Sequence, residues 1–336
     1  MLEKRDINYM KARIFLLLGA LFISGQSLAK PSDAFKRPDH IPFPASNPYS
    51  APKAALGKML FFDPRLSRNR NLTCASCHNP SFGWEDATAR AVGSQNTQLG
   101  RHSPSIINAA WGASFFWDGR AKDLEAQARG PIEAAVEMNI TLPEVVARLK
   151  KVQGYRTLFG EVFGSSGINE QNILKAIATF ERTIVSGEAP FDRWVEGDNN
   201  AINSEAKRGF ELFIGKARCA SCHSGWNFTD NEFHDIGVDA IDEGRFVITK
   251  NPIHKFAFKT PSLRNISQRA PYMHDGSMND LNVVIRHYMK QTPSRPSLSP
   301  LMQPVQLSEQ EIDQLVAFLK TLTGEDKVIT LPLLPY

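Results

Sequence analysis

The pentapeptide Cys74-Ala75-Ser76-Cys77-His78 recurs letter for letter as Cys219-Ala220-Ser221-Cys222-His223. Together the two copies use all four cysteines of the 336-residue chain. Cys-x-x-Cys-His is the attachment signature of a c-type haem. Two thiols on one turn can each add to a vinyl group of the same porphyrin, and the adjacent histidine supplies an axial nitrogen to the iron. Competing readings fit less well. A zinc ribbon also pairs Cys-x-x-Cys units, but roughly 15–20 residues apart. Here the units lie 145 residues apart, and each runs straight into a histidine. A disulfide or thioredoxin-like pair has no use for that histidine. The sequence therefore predicts two covalently bound haem c groups.

Residues 1–29 read as a secretory leader. Lys4, Arg5, Lys11 and Arg13 make a basic start, residues 14–23 are apolar, and Ser27-Leu28-Ala29 ends in the small-x-small pattern of a cleavage site. Nothing beyond this leader approaches the ~18 apolar residues of a membrane span, so no stable insertion is expected after cleavage. Export agrees with covalent haem attachment, and both point to a bacterial periplasm. The remaining 307 residues suffice for two domains. The formal charge of +4 includes a leader with four basic and two acidic residues, so the rest is near neutral. That gives no case for nucleic acid or an anionic membrane as partner.

Residues 30–53 are rich in Pro, Ser and Asn and are expected to form an irregular arm. A helix is expected over 54–62, ending before Asp63-Pro64. After the first pentad comes a loop rich in Gly, Asn and Gln, to about Gly100. Short helices are expected over 105–113 and 122–128, around the turn Phe116-Trp117-Asp118-Gly119-Arg120, and over 143–152 with Pro143 in its first turn. The clearest helix spans 170–185, where Ile173, Leu174, Ile177, Phe180 and Ile184 share a face.

Residues 187–203 are polar and set a domain boundary, giving an N-terminal domain over 30–200 and a C-terminal domain over 201–336. Ser204 is expected to cap a helix leading to the second pentad. A weak internal repeat supports paired units: Gly57-x-x-Leu60-Phe61 precedes one pentad and Gly209-x-x-Leu212-Phe213 the other. A helix over 279–289 follows, then a loop over 291–304 with four prolines. Ser308 and Glu311 form a capping box for the last helix, striped by Ile312, Leu315, Val316, Leu319 and Leu322 and stopped at Gly324. Strand signals are few. The expected class is mainly α, with two cytochrome c-like domains that each enclose one haem.

A haem with a single protein ligand has an undecided sixth position. Filled by Met, His or Tyr, it suits electron transfer; open, it admits peroxide. Residue type alone leaves many candidates: His40, His102, His234, His254, His274 and His287, and Met273, Met278, Met289 and Met302. Peroxide cleavage also needs an acid–base group to carry a proton from the inner to the outer oxygen. Glu133 and Glu137, in Gly130-Pro131-Ile132-Glu133-Ala134-Ala135-Val136-Glu137-Met138, are candidates. Each reads equally well as a solvated helix-end carboxylate.

From about Ala54 to Leu322 the chain resembles the bacterial di-haem cytochrome c peroxidases and their MauG-type relatives. The resemblance rests on Leu56-Gly57-Lys58-Met59-Leu60-Phe61-Phe62-Asp63, Phe116-Trp117-Asp118-Gly119-Arg120, the Gly130 to Met138 stretch and Ala270-Pro271-Tyr272-Met273-His274-Asp275-Gly276-Ser277, in this order around the two pentads. It implies that the haem on Cys74, Cys77 and His78 reacts with peroxide. Glu137 would be the catalytic glutamate, Gln127 and Pro131 would line the same pocket, and Trp117 would relay electrons between the haems. The haem on Cys219, Cys222 and His223 would transfer electrons. Its sixth ligand, fourteen residues after His274, would be Tyr288, as in MauG-type members, rather than the neighbouring Met289.

Two departures from the pattern stand out. Many of these peroxidases block the peroxide haem with a histidine on the loop after the first pentad; the matching place is near Ser94, and residues 93–99 hold none. The family also often binds calcium through an Asn side chain and two backbone carbonyls. Here His102 takes the Asn position, with Arg269 and Pro271 at the carbonyl positions. Imidazole is a poorer calcium ligand than oxygen, so calcium stands as an open expectation beside the two haems.

The implied function is a periplasmic di-haem peroxidase that reduces hydrogen peroxide with electrons from a small redox protein, a cytochrome c or cupredoxin. Two alternatives accompany it. One is a MauG-like oxidase that takes electrons from residues on a partner protein as its substrate. The other is a plain electron carrier with both irons six-coordinate.

Overall fold

Ser50 starts the first helix of the structure, a computed structural model that describes residues 31–238, 241–291 and 293–336. The expected leader lies outside these residues. The Ser50 hydroxyl accepts from the Lys53 amide, and Pro52 sits in the first turn, so α1 (Ala51–Phe61) begins three residues earlier than its apolar pattern suggested. The first pentad forms its own short helix, α2 (Cys74–Cys77).

Residues 105–113 make only one 3-10 turn, Ala109–Trp111, where a short helix was expected. The reason is Asn108, held left-handed at φ 59°. Its amide donates to Ser186 Oγ (3.1 Å) and Asn227 Oδ1 (3.0 Å), so it serves as a tie between distant segments. The next helix, α3 (Leu124–Glu133), begins at an Asp123 cap whose carboxylate accepts from the Ala126 amide at 2.7 Å, and it runs through Pro131.

A capped α4 (Leu142–Lys150) leads into α5 (Gln153–Phe163), which the sequence reading missed. Gly154 and Gly160 masked it, although Tyr155 and Phe159 form a buried pair one turn apart. The long α6 (Glu170–Arg182) follows. Within the stretch read as a polar boundary lies α7 (Pro190–Val195), whose Phe191 and Val195 are buried. The cap of α8 (Ser204–Ile214) is Asn203, one residue before the expected Ser204, with its side chain accepting from Ala206 N at 2.9 Å.

Two two-residue strands, β1 (Phe233–His234) and β2 (Phe258–Lys259), pair antiparallel with Phe233 opposite Lys259. A short α9 (Phe246–Thr249) lies between them, followed by α10 (Leu281–Met289) and α11 (Glu309–Lys320). The capping box on α11 forms as expected, with Glu311 N on Ser308 Oγ at 3.2 Å and Ser308 N on Glu311 Oε2 at 2.8 Å. Gly324 does not end this helix, which stops at Thr321. Gly324 instead lets the backbone pass Gly187, whose carbonyl oxygen would lie 2.5 Å from an added Cβ. The architecture is mainly helical, and no helix among the described residues is long and apolar enough to cross a membrane.

Two crossings set the frame. Helix α1 packs on α6, and α8 packs on α11. At each, a glycine brings two backbones together: a Cβ on Gly57 would lie 1.8 Å from the Ala176 oxygen, and one on Gly209 would lie 1.9 Å from the Gln314 oxygen. These are the glycines of the internal repeat, so the repeat records a packing rule. One core gathers Leu56, Leu60, Ile132, Leu149, Phe159 and Ile177 from α1 and α3 to α6. A second gathers Phe191, Phe210, Phe213 and Phe318 from α7, α8 and α11, with Phe228 and the distant Phe35 of the N-terminal arm.

Glycine-to-alanine changes inside helices ordinarily stabilise by roughly 0.5–1 kcal/mol. At Gly57 and Gly209 the sign should reverse, with a loss of about 1–3 kcal/mol or more, because the obstacle is backbone that cannot turn away. Gly160→Ala in α5, where an added Cβ meets open space, is the control and should be neutral or stabilising. Denaturant unfolding of the three variants checks this; equal behaviour at Gly57 and Gly160 would refute it.

Candidate active site

Each pentad is built to present one histidine nitrogen. In the first, the Thr73 amide donates to Ser76 Oγ at 3.0 Å at the start of α2, and His78 N bonds to the Cys74 carbonyl at 3.0 Å. His78 Nδ1 then faces the Trp84 carbonyl at 3.2 Å. In the second, a 3-10 turn (Cys219–Ser221) follows left-handed Arg218, and His223 Nδ1 faces the Phe228 carbonyl at 2.9 Å. A carbonyl can only accept, so each Nδ1 is the protonated nitrogen and each Nε2 keeps its lone pair for a metal.

All four cysteines are unpaired. Burial pushes Cys77 up to about 11 and Cys219 up to about 12, and drives Cys74 higher still. Burial thus favours the neutral S–H form at these three cysteines. Free thiols, a lone-pair nitrogen beside them and an open cavity in front fit a covalent haem at each pentad.

The first cavity, about 480 Å³, is lined by Cys74, Cys77, His78, Trp117 and, from α3 and the segment after it, Gln127, Pro131 and Glu137. All the residues expected there therefore meet. Burial raises Glu137 above the usual carboxylate range, against a lowering pull from Arg120. Glu133 is not part of this wall: it lies exposed and pairs with Arg129 at 3.3 Å. The loop after the pentad closes over Glu137, with Ser94 N donating to the carbonyls of Val136 and Glu137, both at 3.0 Å.

The sequence reading missed Glu181 on α6, which also lines this cavity. It is 4% exposed, its Oε2 has no partner, and burial pushes it up to about 8. Its signal was position: it falls one turn after Ile177, on the apolar stripe itself.

The second cavity, about 320 Å³, is lined by Cys219, Cys222, His223, Tyr288 and His274, with Met273 and Met302 in its wall. Tyr288 is half-buried, and its hydroxyl pKa is driven up by desolvation and by the nearby sulfurs of Cys219 and Cys222. Met289 turns away and packs against the second core. Among the other histidines, His234 is engaged by Ser299 (3.1 Å) and Asp230 (2.8 Å), His287 by the Ile236 carbonyl (2.8 Å) and His254 by Thr249 (3.0 Å), while His40 is exposed. His274 stacks on Phe258, ring centres 3.6 Å apart, and burial lowers its pKa.

His102, Pro104, Phe116 and Trp117 line both cavities. The Trp117 indole N–H donates to the His102 carbonyl at 2.8 Å, which fixes the ring in the shared wall. The residues expected to hold calcium do not fit that ion. Both ring nitrogens of His102 are engaged, Nδ1 with the Thr88 carbonyl (2.8 Å) and Nε2 with Glu85 (3.1 Å). The Arg269 guanidinium bonds the same carboxylate, Glu85, at 3.2 Å, bringing a second positive group to this junction, and Arg269 and Pro271 both line the second cavity.

Two such cavities in one mainly helical chain define a di-haem c-type oxidoreductase. Residues 51–200 match the family model described as di-haem cytochrome c peroxidase, and residues 206–323 the one described as cytochrome c. The chain is 53% identical to the methylamine utilization protein MauG of Methylorubrum extorquens, over 93% of this chain and 90% of that one. It is 38% identical to the cytochrome c551 peroxidase of Nitrosomonas europaea, over 95% and 92%. A solved MauG-like protein associated with microbial copper homeostasis matches with a TM-score of 0.79 at 33% identity, over 86% of this chain and 95% of that one. The chain belongs to the di-haem cytochrome c peroxidase and MauG family, and its cofactors are two c-type haems.

Haem stoichiometry gives a direct check. The purified protein should give two haems per chain in a pyridine haemochrome assay. Replacing both Cys219 and Cys222 by alanine should leave one covalent haem, on the fragment containing Cys74 and Cys77. Two haems retained in that variant would contradict the assignment.

Proposed function

We propose that this chain is a MauG-type oxidase that consumes hydrogen peroxide at the first cavity and draws electrons, through the second, from residues on a partner protein. The observation that carries this reading is Tyr288, half-buried in the wall of the second cavity, which both pentad cysteines also line. The resemblance puts the sixth ligand of MauG-type members at this position. Support also comes from the first cavity, whose histidines are His78 and the fully engaged His102, so neither His102 nor a loop histidine is offered to block peroxide.

When bound, the haems supply an iron open to peroxide in the first cavity and a one-electron relay in the second. The protein's own groups do the rest. Each peroxide takes two electrons and two protons to become two waters. Glu137 accepts the proton of the inner oxygen and delivers it to the outer one, so that water leaves. Its raised pKa brings it nearer to neutral pH, where a group that must both take and give a proton works best. Gln127 and Pro131 confine the peroxide between α3 and the pentad. Trp117, in the wall common to both cavities, carries the electrons across. On this reading the domains divide near residue 200 and the protein works in the periplasm, in keeping with covalent haem attachment.

A second reading is a peroxidase fed by a small cytochrome c or cupredoxin. The 38% identity to a cytochrome c551 peroxidase over nearly the whole chain favours it. Steady-state assays separate the two. The oxidase should turn over reduced cytochrome c slowly with peroxide; rapid turnover without prior reduction would make the peroxidase the correct reading.

Glu137→Gln should slow reaction with peroxide by roughly 10²–10⁴-fold with both haems attached. In the native protein the rate should rise with pH through the pKa of Glu137, because only the carboxylate accepts a proton. The variant should lose that limb, and unchanged kinetics in stopped flow would remove Glu137 from the mechanism. Low-temperature EPR of the oxidised protein should show one high-spin and one low-spin haem, with Tyr288→Phe altering the low-spin signal alone. Two low-spin haems in the native protein would overturn the open first site.

A further inference from the structure

The wall between the cavities holds a buried cluster of charge that the chemistry above does not use. Glu85, His102 and Arg269 are 5%, 3% and 5% exposed. Glu85 Oε1 accepts from Arg269 Nη1 and from the Ser105 amide, both at 3.2 Å, and its Oε2 meets His102 Nε2 at 3.1 Å. The other ring nitrogen, Nδ1, meets the Thr88 carbonyl at 2.8 Å, and Asp86 Oδ1 lies 3.9 Å from it. A carboxylate and a carbonyl both accept and neither donates. His102 must therefore donate from both nitrogens, which makes it an imidazolium with no lone pair for a metal. The guanidinium also donates to the Ser262 carbonyl. Two cations thus balance two carboxylates, with the oxygens of Glu85 already taken.

We infer that this junction is pinned by protein-borne charge: Arg269 and His102, set against Glu85 and Asp86, do the work of the calcium ion that the family resemblance implies, and they position Trp117 without any divalent cation. A calcium ion would need vacant oxygens at about 2.3–2.6 Å. It would find a guanidinium and an imidazolium instead, whose repulsion at low dielectric is severe.

The cluster reaches both haem sites. Glu85 follows Trp84, whose carbonyl orients His78, and the His102 amide donates to the His274 carbonyl at 2.8 Å. The His102 carbonyl holds the Trp117 indole. Arg269 is thus a positioning residue that acts through Glu85 and His102. The inference holds whether the electrons come from a partner protein or from a small cytochrome.

The test begins with the intact di-haem protein, dialysed against EGTA and assayed for calcium by plasma emission. Calcium well below one equivalent is expected, with visible and EPR spectra and Tm unchanged by chelator or by added calcium. One calcium per chain, or a chelator effect that calcium reverses, would overturn the inference. Arg269→Met should lower Tm and change the interval between the two haem potentials in a spectroelectrochemical titration, and Arg269→Lys should restore part of both. If Arg269→Met yields no folded protein, pairing it with Glu85→Gln removes both charges and should recover a folded chain with an altered interval. Native potentials in the folded variants would show that the guanidinium does not set the junction.

Discussion

The structure depends on two places where one helix backbone lies directly against another. At Gly57 and Gly209 the missing Cβ is the contact: α1 closes on the Ala176 carbonyl and α8 on the Gln314 carbonyl. Everything that handles a haem hangs from these crossings. Each glycine stands four residues before a buried phenylalanine, Phe61 or Phe213, and each helix leads to a pentad. Close helix contact fixes where the chain emerges, and hence where two thiols and a histidine nitrogen are offered.

The two units share that frame and diverge in what faces the haem. In the first, α3 and the segment after it bring Gln127, Pro131 and a partly desolvated Glu137 to the cavity. In the second, α10 brings a phenol. One design thus presents a carboxylate to one cavity and a phenol to the other. Between them lies a single tryptophan whose N–H is tied to a backbone carbonyl. Side chains hop between rotamers, and this hydrogen bond holds the ring of the proposed relay in one orientation.

Much of this was legible in the sequence because it is local. Cys-x-x-Cys-His carries its chemistry in five residues, the Ser308–Glu311 box names its own helix end, and α6 announces itself by its apolar face. The internal repeat was visible too, though not its cause, since the carbonyls that demand glycine come from more than a hundred residues away. What stayed hidden is long-range. Asn108 looked helical until its amide met Ser186 and Asn227. Phe191 and Val195 sat in a polar stretch because α7 is only six residues long. The charge state of His102 could not be read from its type, since Glu85 and Thr88 dictate it from outside its own segment. Glu181, by contrast, broke a stripe that had already been drawn.

Phe35 lies in an arm that looked irregular, yet its ring stands edge-on to Phe191 and Phe210 in the second core, with centres 6.1 Å and 5.4 Å away. The start of the described chain thus completes the packing around its last helix. A single-haem fragment cut from the second half would carry a hole where that ring belongs, and filling such a hole is worth about 3–5 kcal/mol in comparable cores. The two haem units are repeats in pattern but not interchangeable parts. Dissecting this protein into minimal cytochromes means transplanting the arm along with the pentad.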